Sequence, residues 1–92
     1  MQIKRYSASS CCGRKSTILE INKQVNISFV SFFSQHGFVA SDHFTKSGML
    51  FIESNELIVN SSFGSNKLNV KCKTQDCDNN ISKFETLLNS LG

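Results

Sequence analysis

The residues with the clearest capacity for chemistry are the cysteines, of which the chain has 4: Cys11 and Cys12 adjoin in a polar stretch, and Cys72-x4-Cys77 closes the later half. If the first stretch folded over the second, the thiolates could surround a zinc ion, which takes tetrahedral sulfur ligands. The spacing argues against it. Structural zinc sites place paired cysteines roughly two to four residues apart so that one turn offers both sulfurs, which adjacent cysteines do poorly. We expect no metal and no cofactor. Cys72, in phase with Leu68 and Val70, reads as a small core residue, and Cys11, Cys12 and Cys77 as free thiols; a Cys72–Cys77 disulfide would require an oxidising compartment.

Acid–base chemistry has two candidates. His43 follows Asp42, and His36 lies near the end of a helical pattern. A catalytic pair needs side chains within hydrogen-bond reach, yet neighbours on a strand point to opposite faces. Asp42-His43 therefore reads as strand-end polarity, and His36 as a group meeting the last helical carbonyls. No serine, cysteine or acid is spaced to complete a triad, so we expect no enzyme. Gly13-Arg14-Lys15-Ser16 could cradle a phosphate, but it lacks P-loop glycine spacing and leads into a strand, which makes it a solvated loop.

Two surfaces remain for binding. In residues 49–59, Met49-Leu50-Phe51-Ile52 and Leu57-Ile58-Val59 flank the turn-forming Ser54-Asn55-Glu56, a β-hairpin signal. Side chains on strands alternate faces, so Met49, Phe51, Leu57 and Val59 are expected on one side and Leu50, Ile52 and Ile58 on the other. Both sides are apolar, and a doubly apolar hairpin must be covered twice or serve as an interface. The following strand has one dry side, Leu68, Val70 and Cys72, and one wet side where Lys67, Lys71 and Lys73 could meet phosphates, with Lys46 nearby. The plainer reading of those lysines is protection of a sheet edge.

Composition bounds these readings. A chain of 92 residues makes one domain, residues 1–92, and buries roughly 60–65% of its unfolded surface. A net charge of +3 permits an anionic partner without requiring one. No apolar run approaches the ~18–20 residues of a membrane span, and Met1-Gln2-Ile3-Lys4-Arg5-Tyr6 holds no apolar signal core. The expected location is cytoplasmic, with no membrane contact. Asn-x-Ser triplets begin at Asn26, Asn60 and Asn80, as chance produces in a chain rich in both residues.

The elements that must position these groups follow from periodicity. Residues 2–8 read as an edge strand and 17–21 as its partner. A helix starts at Asn22 or Gln24 and ends at Gly37, with Val25, Phe29, Phe32 and Phe33 as its stripe, widened by Ile27 and Val30. Residues 38–44 read as a strand and 45–48 as a turn. The hairpin comes next, then a turn at Phe63-Gly64-Ser65-Asn66 and the lysine strand. Residues 79–91 form the last helix through Ile81, Phe84, Leu87, Leu88 and Leu91, capped near Asp76 and Asp78. The fold expected is α+β, order β-β-α-β-β-β-β-α, with both helices on one face of an antiparallel sheet. From Thr17 onward this order resembles that of TATA-binding-protein-like folds, a group that includes helix-grip ligand binders; a ferredoxin-like variant is the alternative.

The function expected is a non-enzymatic binding module working through protein–protein contacts, a homodimer among them, at the apolar sheet face of Leu50, Ile52 and Ile58. The alternatives are nucleic-acid binding through Lys67, Lys71 and Lys73, and small-molecule binding between sheet and helix.

Overall fold

The computed structural model describes residues 2–9 and 15–91, with the backbone alone at 7–9 and 15. Strands β1 (Ile3–Ser9) and β2 (Lys15–Ile21) pair as a hairpin with Tyr6 opposite Ile18. Helix α1 (Ile27–Ser34) carries the chain to the far edge of the sheet, where β3 (Val39–Ala40) and a short helix α2 (Asp42–Lys46) follow. Strands β4 (Met49–Glu53), β5 (Leu57–Ser62) and β6 (Lys67–Cys72) return side by side until β6 pairs with β2. The six-stranded sheet has the order β1-β2-β6-β5-β4-β3, antiparallel throughout, and α3 (Cys77–Leu91) ends the chain. The class is α+β. Sequential neighbours from β3 to β6 replace the split βαβ units of a ferredoxin-like variant.

Both long helices cover one face. Leu19 and Ile21 of β2, Leu50 and Ile52 of β4, Leu57 and Val59 of β5, and Leu68 and Val70 of β6 point into a cluster with Phe29, Phe33, Ile81, Phe84 and Leu88. The stacked rings of Phe33 and Phe84, 5.1 Å apart, join α1 to α3, and Phe38 meets both edge-on. Such aromatic contacts add about 0.5–1.5 kcal/mol each beyond the area they bury. Ser61, 8% exposed, is buried on the sheet's inner face, and its hydroxyl donates to the Lys67 carbonyl, leaving no orphan.

Helix α1 starts later than its apolar spacing suggests, and the turn between β5 and β6 is the reason. The Val25 N–H donates to Ser65 O at 2.8 Å while the Gly64 N–H donates to Val25 O at 2.7 Å. With both backbone groups of Val25 engaged, helical hydrogen bonding begins only after it. Asn26 then caps the helix by accepting the Ser28 N–H at 2.9 Å. Gly37, at φ +90°, ends that segment in the left-handed conformation that favours glycine, and the Phe38 N–H returns to Phe33 O. Ile27 does not widen the buried stripe, being 62% exposed.

The stretch 38–44 also departs from expectation, since only Val39 and Ala40 pair with β4 before the chain turns into α2. Ser41 is extended and occupies the cap position, its carbonyl accepts both the Thr45 N–H and the Thr45 hydroxyl, and Asp42 falls in the positive first turn. The helix is held by tertiary contact: Phe44 stacks on Phe51 at 4.8 Å. Phe51 points away from the core, so α2 lies on the side opposite α1 and α3.

At the other edge, β1 joins the main sheet through all of β2. Its inward Arg5 forms an ion pair with Glu85 of α3, donates to Ser82 Oγ at 3.3 Å and lies 3.9 Å from Asp78. We expect Phe33→Ala to cost about 3–5 kcal/mol in urea denaturation, because it empties the middle of the helix layer. Ile27→Ala on the same helix should change stability by no more than about 0.5 kcal/mol, as surface positions do.

Candidate functional site on the open sheet face

Among the described residues, the face opposite α1 and α3 is covered only where α2 crosses Phe51. The register arranges its side chains in rows. One row runs Tyr6, Ile18, Asn69, Asn60, Phe51 across five strands, each directly opposite the next. A second runs Lys71, Ile58, Glu53, Val39, and a third runs Lys4, Glu20, Lys67. Down β6, in the interior of the sheet, the outward sequence is Lys67, Asn69, Lys71, with side chains ~6.6–6.8 Å apart as in any extended strand. Lys67, Lys71 and Lys4 are exposed, Tyr6 is 46% exposed, and Ile18, Ile58, Asn60 and Asn69 are half-buried.

The expected partner surface of Leu50, Ile52 and Ile58 does not form. Leu50 and Ile52 are completely buried beneath the helices, whereas Ile58 stands on the open face. The cause is the turn. Ser54 pairs with Leu57 through a 2.8 Å N–H to carbonyl bond, so Asn55-Glu56 alone forms the link, Ile52 lies opposite Val59 and Glu53 opposite Ile58. A link read as three residues shifts the register by one and exchanges every face. Leu57 and Val59 therefore share the core with Leu50 and Ile52, while Met49, Phe51 and Ile58 face outward.

The lysines divide. Lys67 and Lys71 share the open face as expected, whereas Lys73 lies beyond the end of β6 and forms an ion pair with Glu53. What sequence reasoning passed over is the amide pair beside Lys67 and Lys71, neither of which forms an ion pair among the described residues. Asn60 and Asn69 face each other across β5 and β6, and the Asn69 Oδ1 is buried with no hydrogen-bond donor in reach among the described residues. Beside it is a shallow depression of about 210 Å³ bordered by Ile18, Asn60, Ser62, Lys67 and Asn69. The signal available in sequence was the phase of Asn69 with Lys67 and Lys71; its opposition to Asn60 depends on register.

The other candidates resolve differently. Cys72 and Cys77 form a disulfide, which ties the end of β6 to the first turn of α3. This corrects the reading of Cys77 as a free thiol and consumes two of the sulfurs a zinc site would need. Cys11, Cys12, Gly13 and Arg14 lie outside the described residues. No cluster of three or more His, Cys, Asp or Glu among the described residues is arranged around a common point. Asp42 and His43 are on a helix rather than a strand, with the His43 ring against Phe44, and the His36 ring packs on Phe32 at 4.6 Å. On the helix side, a cleft of about 310 Å³ between α3 and the β4–β5 turn is lined by His36, Phe38, Glu56, Asn80, Lys83 and Phe84. No described helix is long and apolar enough to cross a membrane.

Comparison with protein-family models, with curated proteins and with solved structures returns no match. Disulfides are characteristic of oxidising environments and rare in the cytoplasm expected from the sequence, and the loop this one closes is short. By chain entropy it stabilises by about 2 kcal/mol. We expect the double variant Cys72→Ala/Cys77→Ala to lose about that much in guanidinium denaturation, and added reductant to lower the native protein's stability but not the variant's.

Proposed function

We propose that this chain is a non-enzymatic binding module whose open sheet face takes single-stranded nucleic acid. The observation that carries the reading is the outward run Lys67, Asn69, Lys71 on an interior strand, flanked across the sheet by Ile18, Ile58 and Tyr6. The lysines supply positive charge for a phosphate backbone, and the aromatic and apolar side chains supply surfaces on which bases can rest. Edge protection does not account for lysines on β6, which has β2 on one side and β5 on the other.

Lysine is depleted at the centre of protein–protein interfaces, and here Lys67 and Lys71 stand on an interior strand of the sheet. The apolar hairpin surface that favoured a protein partner is largely spent on the core, since Leu50 and Ile52 are buried and Phe51 is covered by Phe44. A single strand fits better than a duplex because the major groove, about 12 Å wide, admits a helix or a two-stranded ribbon, and β6 is flanked on both sides. Unpaired bases can also turn their faces to the sheet. With β1 and α2 set aside, the element order is the one that resembles TATA-binding-protein-like folds, and we propose that arrangement as the fold; order alone confers no function.

The test is fluorescence anisotropy with labelled 12-nucleotide RNA and DNA single strands between 50 and 200 mM salt. We expect binding that weakens with salt at a slope of about −0.7 per phosphate contacted. Lys67→Ala/Lys71→Ala should flatten the slope by about 1.4, two contacts' worth, and Lys73→Ala should leave it nearly unchanged. Absence of binding at the lowest salt, or binding indifferent to salt, overturns the proposal. A dimer in sedimentation velocity would then return the face to the protein-binding reading.

A further inference from the structure

We infer that the Asn60–Asn69 pair reads the hydrogen-bonding edge of a single base, with adenine as the base preferred. The inference rests on the nucleic-acid reading and adds to it a sequence preference that lysines cannot supply, because phosphate contacts position a strand while base contacts specify it.

The starting point is the Asn69 Oδ1. Buried polar atoms in folded proteins are almost always hydrogen-bonded, and this one is not. Its surroundings explain why the fold leaves it unpaired. Ile18 stands opposite on β2 and offers no donor, and Asn60 stands opposite on β5 with its own amide. Ser61 and Leu68 next to the pair point into the core, where the Ser61 hydroxyl is already committed to the Lys67 carbonyl. The depression in front of the pair opens on the face that carries Lys67.

A carboxamide presents one acceptor and a pair of donors in a plane. Adenine presents the complement on one edge, an N6 amino donor beside the N7 acceptor, and a bidentate amide to adenine is the standard pairing of asparagine with a base. The Asn69 Oδ1 is buried while the side chain as a whole is only half-buried, so a turn of the amide about χ2 brings it to the depression, where it would accept from N6 while an amide N–H of the pair donates to N7. Ile18, adjoining in the same row, gives the face of the purine an apolar floor, and Tyr6 beyond it can stack on the next base. Lys67 and Lys71 stand on either side of Asn69 along β6, where phosphates flanking a seated base would fall.

The test uses uridine 12-mers that are unsubstituted or carry one central adenosine or one central cytidine, measured by anisotropy at 50 mM salt. The wild-type protein should bind the adenosine strand roughly 5- to 150-fold more tightly than the other two. Asn69→Ala should bring all three to the same affinity without changing the salt slope. Asn69→Leu, which replaces an unsatisfied buried amide by an apolar group of similar size, should abolish the preference while leaving the thermal midpoint unchanged or raised. A lowered midpoint would show the amide holding the sheet together and would overturn the inference. Equal binding of all strands by the wild type, or a preference that survives Asn69→Ala, overturns the inference while salt-dependent binding keeps the broader reading intact. No binding of any strand at low salt overturns both.

Discussion

Every side chain in the sheet takes its place from one pairing, the register in which Val70 of β6 lies opposite Val59 on one side and Thr17 on the other. Because successive residues on a strand point to opposite faces, this pairing sends Leu68 and Val70 inward with Val59 and Leu19, and by the same stroke sends Lys67, Asn69 and Lys71 outward. Core and surface are two sides of one geometric decision. The apolar side then requires cover, and the helices supply it through the Phe33–Phe84 stack that joins them over the middle of the sheet.

Around that pairing the chain is tied at places where it would otherwise be loose. The turn after β5 exchanges hydrogen bonds with Val25 and thereby sets where α1 begins. The Cys72–Cys77 disulfide holds the start of α3 to the end of β6, and Arg5 holds the middle of α3 to the edge strand through Glu85 and Ser82. These ties leave the helix layer attached on both flanks. The open face is thus a consequence of one-sided packing, and its pattern of cations, amides and apolar groups is free to serve recognition.

Much of this was legible from residue order. The alternation of Leu68, Val70 and Cys72 with Lys67, Asn69 and Lys71 identified β6 and its two faces, and the spacing of Ile81, Phe84 and Leu88 identified α3 and its buried stripe. Local pattern failed where contact from afar prevailed. Residues 42–46 carry no strong helical period, yet Phe44 finds Phe51 and the stretch winds into α2. Leu50, Ile52 and Ile58 looked like one face because nothing in Ser54-Asn55-Glu56 declares how many residues the turn will use.

By itself, then, the amino-acid order determined that this protein would be α+β, which strand would be half wet and basic, and where glycines would break the chain, since these depend on periodicity and backbone freedom within a few residues. Only the tertiary structure decided which hairpin side chains entered the core, that Cys72 and Cys77 would bond, that Lys73 would pair with Glu53 while Lys67 and Lys71 form no ion pair among the described residues, and that Asn69 would meet Asn60. The physical reason is register. A strand's own sequence specifies which residues alternate, but the partner each one faces is set by turns and packing elsewhere in the chain.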